Sequence, residues 1–390
     1  LLSKLKKMDW GILLILMLFM VISTLLVRSA TYGNPEYNNY DLKTLLFYGV
    51  GFIVAIGVTL FDYRILLKGW VYLYILGIIL LVVVYLTAPE INGARSWFRL
   101  PMGLQFQPAE MVKIILIVTI AFLMGRRQGD PLKVRDDLLV IAAFSFLPFA
   151  LVMIQPDLGN AIIYLVIVLG MLWIGNVRYT HVLIGLAIVI GGLMLFVYVF
   201  NQYNTEIKDY LKEKEKVHWY ERINGFINPD KAAEKEVYQA NKAKIAVGSG
   251  GLTGDGYMKG DSKNRRFIPY PYSDAIFVVV GEEFGFQGSA VLLLLYFLLI
   301  YRMIIIAFHC YDMRGSFIII GIVSMYVFQV FQNIGMMIGL MPITGITLPF
   351  ISYGGTSLLL NMMCIGLVFS VKAHQEKYEL DHVTVQRTAR

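Results

Sequence analysis

The sequence is short of charge. Asp, Glu, Lys and Arg make up 16% of its 390 residues, where soluble domains carry about 25%. That deficit excludes a surface facing water on all sides. Apolar residues make up 57%. They gather into runs long enough to cross about 30 Å of hydrocarbon, which takes roughly 20 helical residues. Cysteine is nearly missing too. Cys310 and Cys364 are the two in the chain, too few for a disulfide framework, and neither has metal-ligand spacing to histidine. Cys310 is expected near one membrane face and Cys364 within a span, so no bridge is expected. No small-residue cleavage site follows the first apolar run, which therefore reads as a retained helix and not a signal peptide. Fixed-period repeats and low-complexity tracts are absent. The net charge of +7 is read as loop charge on the cytoplasmic side, with no nucleic acid implied.

The runs are continuous, which fits helical spans and not barrel strands. Ten spans are expected, at about 9–30, 41–62, 66–87, 108–125, 137–154, 158–175, 180–201, 274–308, 315–338 and 348–372, so the chain reads as a single all-α polytopic membrane domain over 1–390. The eighth is longer than one crossing and is expected to begin bent. Lys4, Lys6, Lys7, Arg64, Lys68, Arg126, Arg127, Lys133, Arg135, Arg178, Arg302, Arg314, Lys372 and Lys377 all fall on one side if the spans alternate. The positive-inside rule then places both termini in the cytoplasm. The 202–272 connection becomes one large extracellular loop, carrying short helices near 206–217 and 229–246. Its GSGGLTGDG stretch at 248–256 has no Gly-Lys-Ser/Thr after it and no strand before it. It reads as a turn-rich loop and not as a phosphate cradle.

Charges near the membrane point to chemistry, because each costs about 2.5–3.5 kcal/mol at a span centre. Arg95 and Arg99 flank Trp97 in NGARSWFR. A guanidinium offers a donor fork suited to phosphate, although tryptophan and arginine also anchor helices at headgroup depth. In FQPAEMVK, Gln107 precedes a helix start, and Glu110 and Lys113 sit three apart, so they can pair on one face. In QPDLG, Asp157 opens a span, where capping is the plain reading. In YSDAIFVVVGEEFGFQG, Asp274 begins an apolar run at the end of the large loop. Glu282 lies roughly on the same helical face, and Glu283 points elsewhere. The last motif, GLMPITGITLPFISYGGTS, contains Ser352 and is rich in glycine, proline and hydroxyls. Irregular backbone at membrane depth must be buried or line a cavity, so a polar outer cavity is expected.

In this order the motifs resemble the SEDS family of shape, elongation, division and sporulation proteins, typified by RodA and FtsW. The likeness runs over essentially the whole chain and includes RINGFINP at 222–229. Short tails favour the RodA type. The resemblance implies a peptidoglycan glycosyltransferase in the bacterial cytoplasmic membrane. It would polymerise lipid II into β-1,4 glycan strands for elongation or division, beside a class B penicillin-binding protein. It also assigns the essential aspartate of the family's TDFIF motif to Asp274, which reads SDAIF here. The QPxExxK pair falls on Glu110 and Lys113. Making a β bond from an α-linked sugar pyrophosphate inverts the anomeric carbon, so one carboxylate base suffices. Arg95 or a divalent cation, Mg or Mn, could neutralise the leaving group. Arg95, Trp97, Arg99, Gln107, Asp157, Glu282 and Ser352 are the candidate substrate contacts. Two other readings stay open: a lipid II flippase, against which no inverted repeat of broken spans is visible, and a non-catalytic scaffold for a penicillin-binding protein.

Overall fold

A computed structural model describes residues 4, 6–90, 95–99, 105–127, 130–175, 177, 179–213, 220, 223–224, 227–228, 234–261 and 269–375. Asn92 to Ala94, Arg178, Trp219, Arg222, residues 214–218 and 229–233, and Lys377 lie outside the described residues. The chain is helical apart from one short hairpin. Its main helices are α1 (Trp10–Thr31), α2 (Tyr40–Leu60), α3 (Tyr63–Lys68), α4 (Trp70–Thr87), α5 (Pro108–Gly125), α6 (Leu139–Ile154), α7 (Leu158–Ile174), α8 (Tyr179–Gln202), α9 (Asn204–Glu213), α10 (Glu234–Ser249), α11 (Ile276–Phe308), α12 (Met313–Ile338) and α13 (Gly355–Ala373). The hairpin pairs β1 (Phe98–Arg99) with β2 (Gln105–Phe106) in antiparallel register, Phe98 opposite Phe106. Eight helices among the described residues are long and apolar enough to cross a membrane, and α7 is a shorter apolar helix. The chain is a multi-pass membrane protein.

Aspartates start several of these helices. Asp9, Asp62, Asp157 and Asp312 each accept a backbone N–H from the first turn of α1, α3, α7 and α12, which satisfies donors that have no intrahelical partner. Pro108 occupies the first turn of α5, where its missing N–H costs nothing. Burial separates the helices into two groups. α5, α12 and α13 are buried along most of their length and form the centre of the bundle. α4 and α6 keep broad exposed faces of leucine, isoleucine, valine and phenylalanine. An apolar helix with only a narrow buried stripe is at home against lipid.

Three expected boundaries move. The span drawn at 66–87 breaks at Gly69 into α3 and α4. The span drawn from 348 begins at Gly355; residues 348–354 are turns held by other helices. The span drawn from 274 begins at Ile276, after Ala275. It is broken at Gly285, whose φ of 61° and ψ of −155° are open essentially only to glycine. The break strands backbone groups on both sides, and the 248–256 loop takes them up. Asp255 N and Gly256 N donate to the carbonyls of Glu282 and Glu283 at 3.0 Å each, while Phe286 N and Gln287 N donate to Gly251 O and Leu252 O at 2.9 and 3.1 Å. A Cβ on Gly285 would meet Gly254 N at 2.5 Å. The glycines of this loop therefore serve backbone-to-backbone approach.

Candidate active site

Four motifs distant in sequence meet at one loop, residues 339–354. The loop is irregular, and its carbonyls are satisfied by hydroxyls from three helices. Tyr296 on α11 donates to Pro349 O, Tyr48 on α2 to Phe350 O, and Ser23 on α1 to Ile351 O. Such partners let non-helical backbone persist at membrane depth. Ser352 closes the turn, its Oγ accepting from Leu348 N at 2.7 Å and donating to Ser273 O at 2.7 Å.

The Asp274 turn docks on this loop. Tyr353 N donates to Tyr272 O at 2.9 Å, and a Cβ on Gly345 would come within 3.9 Å of Asp274 Oδ2. Phenol rings wall the turn: Tyr40 stacks on Tyr353 at 4.2 Å, and Tyr37 lies 4.6 Å from Tyr272. Burial pushes the Asp274 carboxyl up to about 6, against the N–H donors of its own residue and of Ala275. No side chain caps α11, whose cap position is Ala275, so Asp274 is not there as the helix cap. Its alignment with Glu282 on one helical face also fails, because Asp274 precedes the helix.

The second group enters from α5 and α7. Lys113 Nζ lies 3.2 Å from Glu110 Oε1, with side-chain exposures of 4% and 14%. Gln107 donates to Asp157 Oδ2 at 2.5 Å, and Asn160 donates to the same carboxylate from its side chain at 2.8 Å. Burial raises the Asp157 carboxyl, opposed by the Asn160 bonds and by Lys113. Gly159, two residues on, packs directly against Ile346 and Thr344 of the central loop. Asp157 thus caps α7 and also faces the Glu110–Lys113 pair.

The hairpin supplies the third group. Thr356 donates to Gln105 O at 2.6 Å, which ties the hairpin to the start of α13. Ser96 is buried and donates to Gln155 O at 3.2 Å. Arg99 is exposed, and Trp97 is half-buried. Arg95 faces Glu90 at 3.7 Å, with both side chains more than half exposed. A pair of that kind is worth about 0–1 kcal/mol, so it holds the guanidinium weakly.

Glu282 and Glu283 belong elsewhere. They are 2% and 1% exposed, under the segment that seals the helix break. A Cβ on Gly260 would lie 2.7 Å from Glu282 Oε2. Glu283 accepts from Ser29 Oγ at 2.6 and 2.8 Å and from Met258 N at 3.1 Å. Both carboxylates face this covering segment, so Glu283 does not point away from its neighbour.

Two residues of the cluster were not singled out from sequence. Asn333 Nδ2 donates to Asp274 O and to Ile346 O at 2.7 Å each. Gln332 donates to Pro342 O at 3.3 Å and Thr344 Oγ1 at 3.2 Å. The Asn333 Oδ1 and Gln332 Oε1 atoms are buried without a partner among the described residues. An orphaned acceptor costs roughly 1–3 kcal/mol, and each neutral hydrogen bond returns about 1 kcal/mol. Asn333 therefore adds little net stability; its effect is to fix where two segments sit. The sequence signal was available: Gln329, Gln332 and Asn333 are amides within one otherwise apolar span. Among the described residues no three carboxylates, histidines or thiols gather as metal ligands.

The model of the FtsW/RodA/SpoVE cell cycle proteins matches residues 5–377. The chain belongs to that family. It is 32% identical over 375 residues to stage V sporulation protein E of Bacillus subtilis strain 168, covering 94% of this chain and 97% of the relative. It is 32% identical over 371 residues to peptidoglycan glycosyltransferase MrdB of Escherichia coli K12, covering 95% and 94%. Among solved structures, a chain described under structural coordination of polymerization and crosslinking by a peptidoglycan synthase complex matches with a TM-score of 0.75. The two are 27% identical, and the match covers 94% of this chain and 98% of the other. The rod shape determining protein RodA of Thermus thermophilus matches with a TM-score of 0.66 at 26% identity, covering 94% and 97%.

Proposed function

We infer that this chain is a peptidoglycan glycosyltransferase, and we propose that Asp274 is its general base. The observation that carries the assignment is a buried carboxylate on a turn docked against the central loop, just before an apolar helix; burial pushes it up to about 6. A general base works best when its pKa lies near the operating pH. The acceptor sugar's 4-hydroxyl gives its proton to Asp274 while its oxygen attacks the anomeric carbon of the lipid-linked donor. The bond from that carbon to pyrophosphate breaks, and the electron pair leaves with the pyrophosphate. Inversion gives the β-1,4 linkage without a covalent intermediate. Arg99 lies on the hairpin tied to the start of α13 and Arg95 lies just before it, both exposed, where they can meet the departing charge. Gln107, Glu110, Lys113 and Asp157 form a second polar group, joined to the central loop where Gly159 packs on Ile346 and Thr344. Ser352 sets the Asp274 turn.

The substrate in this reading is lipid II. The partner is a class B penicillin-binding protein, supported by the likeness to a chain of a peptidoglycan synthase complex. The spans alternate ten times, with both termini cytoplasmic and 202–272 outside. The test is glycan synthesis by purified Asp274→Asn with lipid II. Loss of about 10²–10⁴-fold in rate is expected for a missing base. Substantial polymer from that variant removes Asp274 from the role, and redistribution of lipid II without polymer would favour a flippase.

A further inference from the structure

The peptide unit joining Asp274 to Ala275 is held at both edges. Its carbonyl oxygen accepts from Asn333 Nδ2 at 2.7 Å. Its N–H, on Ala275, donates to the Asp274 carboxylate. A peptide unit is planar, so fixing the oxygen fixes the direction in which the opposite N–H points. The same Asn333 amide nitrogen also donates to Ile346 O at 2.7 Å, which references that plane to the central loop. We propose that Asn333 is a positioning residue that aims the Ala275 N–H at the Asp274 carboxylate and so holds the base in its working orientation. The proposal rests on the reading of Asp274 as base.

Gln332, the neighbouring residue on α12, provides the contrast. It bonds the same loop, at Pro342 and Thr344, and makes no bond to the Asp274 peptide. A role in holding the loop belongs to both residues. A role in orienting the carboxylate belongs to Asn333 alone.

The two roles separate in the pH profile. A hydrogen bond to the charged form favours that form, so losing the Ala275 donor makes Asp274 harder to ionise. Burial and two backbone donors govern this carboxyl, with no charged side chain contributing among the described residues. The titratable side chains packed around its turn, among the described residues, are phenols that stack on one another: Tyr272 on the turn itself, Tyr353 on the central loop, and Tyr37 and Tyr40 against them. Tyr353 is pushed up to about 12 and Tyr272 is also raised by burial. α12 brings amides here. Asp157 is also raised by burial, but Asn333 bonds Asp274 O and Ile346 O and not Asp157, so a limb that moves in Asn333 variants reports Asp274.

The experiment measures initial rates of glycan synthesis between pH 5 and 9, using purified full-length chain in vesicles with lipid II. For Asn333→Ala the acid limb is expected to move up by about one pH unit. The rate then falls about fivefold at pH 6 and little at pH 9. Gln332→Ala should keep the wild-type limb at whatever overall rate it retains. If Asn333→Ala does not purify folded, Asn333→Thr keeps most of the volume and can bond one carbonyl at most, with the same shift expected. An unmoved limb in a folded Asn333 variant, or an equal shift in Gln332→Ala, overturns the proposal and leaves Asp274 as base. Polymer from Asp274→Asn overturns the base reading itself, by a different measurement.

Discussion

Replacing Asp274 by asparagine should make the protein more stable while removing its activity. The fold shifts this carboxyl from its ordinary 3.8 to about 6 by burial, a difference of roughly 3 kcal/mol in favour of the protonated form. The sign follows from linkage. An acid whose folded pKa is raised stabilises the fold fully below its unfolded value and loses that contribution as pH rises through the folded value. Wild type should therefore lose about 3 kcal/mol between pH 3 and pH 7–8 from this one group. Asparagine keeps the size and an acceptor oxygen for one backbone N–H but carries no charge at any pH. The stability of Asp274→Asn relative to wild type should grow by ~3 kcal/mol over that window, roughly 4 °C in Tm for a chain of this length. Thermal unfolding of both purified proteins in the same detergent at pH 3, 4, 5, 6, 7 and 8 gives the comparison. A gap in Tm that does not change with pH would refute the reasoning, since the carboxyl would then be no harder to ionise folded than unfolded. Stability given up for a charged group at the site of chemistry is a common exchange in enzymes.

Other outcomes follow from the same geometry. Lys113→Met should strand Glu110 beside Asp157 and cost about 3–5 kcal/mol, while Glu110→Gln with Lys113→Met should recover part of it. Strictly additive losses in a denaturation cycle would show that the 3.2 Å pair carries no coupling. Gly285→Ala should free the 248–256 loop, because the backbone conformation alone costs about 1–3 kcal/mol for a residue with a Cβ; faster limited proteolysis within 248–260 is the readout. For orientation, Tyr257→Cys in a background lacking Cys310 and Cys364 should react with an impermeant maleimide on whole cells. Protection there would reverse the proposed topology.

The helices and the local pairs were legible in the sequence because their causes are local. Long apolar runs announce spans, Pro108 and Asp157 announce helix starts, and the spacing of Glu110 and Lys113 announces contact across one turn. The meeting of the motifs was not legible. The Asp274 turn meets Asn333 through Asp274 O and Ser352 through Ser273 O, bonds that join residues about 60 to 80 positions apart, and no periodicity records such pairings. Glu282 was ranked with Asp274 by counting along a helix that had not yet begun. Its burial depends on a loop some 25 residues earlier. The glycines of that loop were read correctly as turns, but their purpose lies in the break at Gly285, which an apolar run conceals.

The order of synthesis gives that break a further significance. Gly250 to Gly256 leave the ribosome before Glu282 to Gln287, so the partners for the interrupted helix already exist when α11 is made. A broken helix inserted alone would expose free amides and carbonyls to hydrocarbon. Here the complement lies about 30 residues upstream, a short loop to close, so α11 and its seal can assemble as one local event before α12 and α13 are added.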